Sequence, residues 1–173
     1  GSEMCIRDRF GDAIYLAKIE TKYWIEYICK RFENTGKHIS PELAEEICRL
    51  VDNHSSYVQQ LSWLLWIRTI NTATTEQLSY ALEDLLDQNN ILFQSETENL
   101  SAYQMNFLKA IVDGIHTKFS SKEVISKYNL GTSANIVRLK NALLQKELIE
   151  TNGKEIVLAD PVFGVWFKKE MLY

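Results

Sequence analysis

The sequence is poor in the residues that break or bend a chain, with only two prolines and seven glycines in 173 residues. Both prolines stand where a helix can begin, Pro41 behind Ser40 and Pro161 behind Asp160, and no low-complexity tract is present. Cysteine is also scarce. Cys5, Cys29 and Cys48 are odd in number, widely spaced and set among helix-forming residues, which suits reduced thiols in a cytoplasm and argues against a disulfide framework. Long apolar runs are missing too, because Leu61–Ile70 is interrupted by Ser62 and closed by Arg68, well short of the roughly 18 to 20 apolar residues that cross a bilayer. No signal-peptide pattern is present, so a membrane partner is not expected. Nor is there an excess of positive charge. Residues 1–94 carry 9 basic against 14 acidic side chains and residues 95–173 carry 10 against 9, unlike the strongly basic body that non-specific nucleic-acid binding needs.

What is present is a succession of helix signals. Gly1-Ser2 reads as a cloning remnant, and Glu3–Arg9 has no cap and no apolar period, so residues 1–12 are taken as a tag or non-native leader. After the short apolar run Ala13–Ile19, Thr21 offers a cap for a helix through about Phe32, with Tyr23, Trp24, Tyr27, Ile28 and Phe32 at helical spacing. Ser40-Pro41 opens a second helix with Leu43, Ala44, Ile47, Leu50 and Val51 inward, broken at Asp52-Asn53. A third, about Ser55 to Ile70, is apolar nearly all round and is expected at the centre of a bundle. Thr74 and Gln77 form a capping box for a fourth, reaching about Phe93, and the polar stretch Gln94–Asn99 reads as the connector between two subdomains, 13–94 and 95–173.

The second subdomain has a different order. Ser101 with Gln104 and Ser120 with Glu123 read as two further capping boxes, closed respectively by Gly114 and by Asn129–Gly131. A third helix, about Ser133 to Glu147, buries Ile136, Leu139, Leu143 and Leu144. Two short strands flank Asn152-Gly153, a dipeptide suited to a type I′ turn, and Asp160-Pro161 opens a last helix carrying Val162, Phe163, Trp166 and Phe167. Three helices, a hairpin and a closing helix describe a winged helix. The fold class expected is therefore mainly α, a four-helix lid-like bundle followed by a winged-helix domain with a small β-hairpin wing.

Residues able to run a reaction do not assemble. Gly36-Lys37 has the end of a phosphate loop, but the earlier glycine would fall at Arg31 and the magnesium-ligating hydroxyl at His38, so a helix C-cap is the better reading. His38, His54 and His116 have no partners at metal-ligand spacing, and no nucleophile elbow or Cys-His pattern occurs. Glu45, Glu46, Glu83 and Asp84 lie opposite apolar stripes and read as a solvated face. Asn53-His54-Ser55 and Asn99-Leu100-Ser101 match the glycosylation sequon but read as a helix break and a helix entry. Trp24, Trp63, Trp66 and Trp166 fall on apolar stripes and read as core. No catalytic residue, metal site or cofactor is assigned within the chain.

One surface has binding chemistry. Arg138, Asn141 and Gln145 recur three and four apart opposite Ile136, Leu139 and Leu143, and such side chains make bidentate contacts to base edges in a major groove. Lys140, Lys146 and Lys154 can reach phosphates, while Glu147, Glu150 and Glu155 oppose DNA and favour a protein partner.

The chain resembles the C-terminal part of a bacterial or archaeal P-loop ATPase of the AAA+/STAND kind, a group common in Bacteroidetes and archaea. The resemblance covers about Ala13 to Tyr173. It rests on Tyr15-Leu-Ala-Lys-Ile19 leading into Tyr23-Trp24, on Asn53-His-Ser-Ser-Tyr-Val-Gln-Gln-Leu61 before a Trp-rich helix, and on Leu100-Ser101 with Gln104. Leu130-Gly-Thr-Ser-Ala-Asn-Ile-Val-Arg-Leu-Lys140 and Asp160-Pro-Val-Phe163 with Trp166 complete it. It implies that residues 21–94 are a helical lid over a nucleotide held by an upstream core in the same polypeptide, with Ala13–Ile19 as the exit from that core. Asn53-His54-Ser55-Ser56 stands where such lids often carry a Gly-x-Pro motif, which makes His54 the nucleotide-proximal lid position. The phosphate loop, acidic magnesium strand and sensor residues of the family are missing, so the resemblance assigns ATP and magnesium to the core and no hydrolysis to this chain alone. It leaves a non-catalytic region that couples nucleotide state to a protein or DNA partner. The alternative from the residues themselves is a stand-alone winged-helix transcriptional regulator.

Overall fold

The computed structural model describes residues 18–171, which are mainly helical with one two-stranded hairpin and divide into two compact units, up to Ile91 and from Leu92. The leader 1–12, Cys5, and the run from Ala13 to Ala17 lie outside the described residues.

In the first unit, α1 (Thr21–Glu33) buries Trp24, Ile28 and Phe32. Thr21 is not its cap. Glu20 precedes the helix without a side-chain cap bond, and the Thr21 hydroxyl instead accepts from the Asn53 amide at 3.0 Å, so the side chain that could have closed the helix end holds a distant turn. For α2 (Pro41–Leu50) the expectation holds: Ser40 Oγ accepts from Leu43 N at 3.1 Å and Pro41 takes the first helical position, where no N–H is needed. Asp52 and Asn53 then adopt left-handed backbone (φ 48° and 53°), a conformation that Asp and Asn tolerate better than most residues.

The helix α3 (Ser55–Arg68) departs from its expected central place. Val58, Leu61, Leu64 and Leu65 are buried, but Trp63 and Ile67 are 58% and 51% exposed. Among the described residues nothing covers this outer side, so the apolar residues that suggested a central helix form a surface instead. Tyr23 and Tyr27 are exposed on α1 for the same reason. Beyond α3, His38 and the segment Asn71–Ala73 form a short parallel bridge through His38 N to Asn71 O and Ala73 N to His38 O, both 2.8 Å. The capping box of Thr74 and Gln77 opens α4 (Thr75–Glu98), with both reciprocal bonds made at 3.1 and 3.2 Å. This helix continues through Gln94–Glu98, so the expected polar connector is helical. Thr97 is buried with its hydroxyl donating to the Phe93 carbonyl, so this polar side chain is satisfied inside the helix.

The second unit starts on the last turns of α4 and adds α5 (Ala102–Val112), α6 (Lys122–Tyr128), α7 (Ser133–Gln145), β1 (Ile149–Asn152), β2 (Glu155–Leu158) and α8 (Pro161–Met171). The Ser101–Gln104 box is present. The next one is not: Lys118 turns in left-handed backbone, its carbonyl accepts from Ser121 N, and Ser121 rather than Ser120 caps α6. Asn129 (φ 50°) closes α6. The wing is antiparallel with Asn152 opposite Glu155, so its two-residue turn is Gly153-Lys154. Of these only Gly153 has positive φ (60°), the type II′ pattern with glycine first rather than the expected type I′, because Asn152 stays in the ladder. A third edge is added where Ile156 N donates to His116 O at 2.9 Å.

Aromatic side chains fill this unit. Phe93 meets Phe163 edge-on at 5.4 Å and Trp166 at 5.5 Å, while Phe107 stacks on Phe119 at 4.4 Å. At the start of α8, Asp160 Oδ1 accepts from Val162 N (2.8 Å) and Phe163 N (3.1 Å), which satisfies two otherwise orphan donors. Phe163→Ala is expected to lower unfolding free energy by about 3–5 kcal/mol through the cavity it leaves, and Asp160→Ala by about 1 kcal/mol through the lost cap. Urea titration of the two variants checks the ranking, which would fail if the cap variant were the more damaging.

Candidate functional surfaces

Three surfaces have chemistry to offer, and the first is α7 with the wing. Arg138, Asn141 and Gln145 are all exposed and fall within roughly 60° of one another around the helix axis, since each residue turns the helix by about 100°. The structure thus brings these three together. Lys140 it does not: it lies roughly 200° round from Arg138, half-buried and close to the Leu139 and Leu143 side. Lys146 is exposed at the C-cap of α7 and Lys154 is exposed in the wing turn. The Arg138 guanidinium is already engaged, donating to Asn135 Oδ1 at 2.8 Å, and Asn135 Nδ2 donates to the Leu130 carbonyl at 3.0 Å. This chain of bonds ties the arginine to the turn before α7. The same exposed face includes Val137, 63% exposed, which sequence reading passed over.

The second surface is the start of α3. His54 occupies the N-cap position, exposed and without a side-chain cap bond, its ring tilted against Tyr57 with centroids 4.8 Å apart. The Lys18 ammonium bonds to Asp52 at 2.6 Å beside it. Among the described residues no group of three His, Cys, Asp or Glu side chains could hold a metal ion. Burial pushes the Cys48 thiol up to about 11 and raises that of Cys29, away from the thiolate form.

The third surface was not legible as a site in the sequence. The helices α1 and α3 run in the same direction, because Thr21 meets Asn53 at their beginnings and Thr35 meets Trp66 at their ends. Between them lies an open groove of about 580 Å³ whose walls include Tyr27, Arg31, Gln59, Trp63 and Trp66. Trp66 is held in place by its neighbours. The Trp66 indole N–H donates to Thr35 Oγ1 at 2.8 Å, and the Lys37 ammonium sits 4.0 Å from the Trp66 ring centroid while donating to the Trp66 carbonyl at 2.7 Å. Arg31 lies over the Tyr27 ring at 5.2 Å. Neither cation has a carboxylate partner among the described residues. The available signal was a helix apolar on all sides beside a Tyr-x-x-x-Tyr-x-x-x-Arg stripe.

Comparison with known proteins agrees with the fold. Residues 91–169 match the family described as a probable winged helix domain. The fold is similar to that of a Walker-type ATPase of Pyrococcus abyssi, with a TM-score of 0.65 and 18% identity over 87% of this chain. The chain spans 42% of the length of that structure. No curated protein sequence matches. The segment from 91 to 169 is thus a winged-helix domain, and the likeness to the ATPase agrees with the resemblance to the C-terminal region of a P-loop ATPase.

No helix among the described residues is long and apolar enough to cross a membrane. Of the four tryptophans, Trp24 and Trp166 are buried and Trp63 is the most exposed, contrary to the core placement expected for all four. Acrylamide quenching of tryptophan fluorescence is expected to reach a distinct accessible fraction that disappears in Trp63→Phe. An unchanged quenching curve in that variant would contradict the exposed placement.

Proposed function

We propose that this chain is the non-catalytic lid and winged-helix region of a P-loop ATPase, which couples the nucleotide state of an upstream core to a partner bound through the winged helix. The observation that carries the reading is the fold likeness to a Walker-type ATPase across 87% of this chain, together with the winged-helix domain over 91–169. In this reading residues 21–94 are the lid, ATP and magnesium are held by the core, and His54, exposed at the start of α3, faces the nucleotide. The lid contributes position and exclusion of water, and the chemistry of hydrolysis resides upstream. The location is the cytoplasm, and the partner is a protein, the near-neutral charge of residues 95–173 being unfavourable to strong phosphate binding.

Titrating ATP and magnesium into the chain is expected to give no heat of binding by calorimetry. Micromolar affinity would locate a complete nucleotide site inside these residues and overturn the division of labour. In the encoding locus, the reading predicts a Gly-x-x-x-x-Gly-Lys-Ser/Thr loop in frame, about 150 to 250 residues upstream of Ala13 and following a strand.

A second reading, a winged-helix regulator that binds DNA, is favoured by the exposed side of α7 that gathers Arg138, Asn141 and Gln145. If duplex DNA is the partner, anisotropy titrations should weaken steeply with salt, one counterion per phosphate contact. Arg138→Ala should then cost about 1–3 kcal/mol of binding, while Lys140→Ala, on the other side of the helix, should change little. Superimposable curves for wild type and Arg138→Ala would remove DNA readout by this face.

A further inference from the structure

The groove between α1 and α3 is an apolar, aromatic surface lined by Arg31, which has no counter-charge among the described residues, with Lys37 held against Trp66 at its end, and the same chain presents a surface of the opposite kind. Along α4, Glu76, Tyr80, Glu83, Asp87 and Ile91 recur at intervals of three and four and therefore share one face of the helix. All five are exposed, Tyr80 by 48% and Ile91 by 83%. Glu83 and Asp87 have no cationic partner among the described residues. The cation nearest this stripe, Arg68, is already satisfied by a forked pair of 2.8 Å bonds to Asp84. Both surfaces belong to the first unit, and no α4 residue lines the groove.

We propose that the α1–α3 groove receives the α4 stripe of a second copy of this chain. Dimensions agree: Tyr80 to Asp87 spans about 10 Å of helix and Tyr27 to Thr35 about 12 Å at 1.5 Å per residue. With α4 laid along the groove, the Tyr80 ring meets Trp63 and Tyr27, and the carboxylates of Glu83 and Asp87 reach Arg31 and the Trp66 end, beside which Lys37 lies. Exposed Trp, Tyr and Arg are the side chains that carry most binding energy at such contacts, and an amphipathic helix seated in an apolar groove is a recurring mode of recognition. The charges set the register and pairing more than the affinity. This inference is independent of the ATPase reading, since it uses only surfaces within residues 27–91.

Sedimentation velocity of the full chain tests it. The weight-average sedimentation coefficient should rise above the monomer value from low to high micromolar concentration, and raising the salt to about 0.5 M should weaken association about ten-fold by screening the carboxylate–cation pairs. Reversing the groove charges with Arg31→Glu and Lys37→Glu, or the stripe charges with Glu83→Lys and Asp87→Lys, should leave each variant monomeric. Mixing the two variants should restore association, because each then offers the surface the other retains. All four side chains are solvent-facing or half-buried, and thermal melts followed by circular dichroism identify any variant that fails to fold. In that event the remaining double variant still decides the outcome. A wild type that stays monomeric at high micromolar concentration overturns the proposal. So does association that survives both charge reversals, or a mixture that fails to reassociate.

Discussion

The C-terminal unit depends on Phe93. This side chain is fully buried near the end of α4 and touches both Phe163 and Trp166 of α8. Each of these large side chains contributes about 2–3 kcal/mol of burial when removed from water, and the edge-on and tilted geometries suit the ring quadrupoles. Because Phe93 precedes α5, and α8 comes last, their contact joins the two ends of the unit and encloses the helices and hairpin between them. The Asp160 cap then fixes where α8 begins, so that Phe163 and Trp166 arrive at the right height to meet Phe93.

Much of this was legible in the sequence, and the legible parts share a cause. Ser40-Pro41, Thr74 with Gln77, Ser101 with Gln104 and Asp160-Pro161 are local devices, each deciding the backbone within four residues of itself. Where a local device met a competing contact, the reading failed. The Thr21 hydroxyl went to Asn53 rather than to its own helix, and the box expected at Ser120 gave way to Ser121 because of the left-handed turn at Lys118. The connector at Gln94–Asn99 failed for a related reason: polar composition reads as a loop, yet Thr97 is buried within that stretch and Phe93 immediately before it. The most instructive error concerns α3. Apolar residues on every side suggested burial on every side, but periodicity reports what a face wants to touch, not whether the chain supplies it.

The candidate site was read less completely than the fold. Arg138, Asn141 and Gln145 do share a face, because spacing alone determines that on a helix. Lys140 does not share it, which the same arithmetic would have given had it been counted from Arg138 rather than from the general basic character of the segment. The aromatic groove escaped notice because it is made by two helices distant in sequence, and no single stretch carries its pattern.

The third edge of the wing has one more property. Besides the backbone bond from Ile156 N to His116 O, the His116 ring places Nδ1 3.1 Å from the Ile156 carbonyl. A carbonyl only accepts, so Nδ1 must carry the hydrogen, and the neutral ring has its lone pair on Nε2. The wing is thus moored at Ile156 by a reciprocal pair, its N–H held by the His116 carbonyl and its carbonyl held by the His116 ring, so that a side chain supplies the second bond a neighbouring strand would have made.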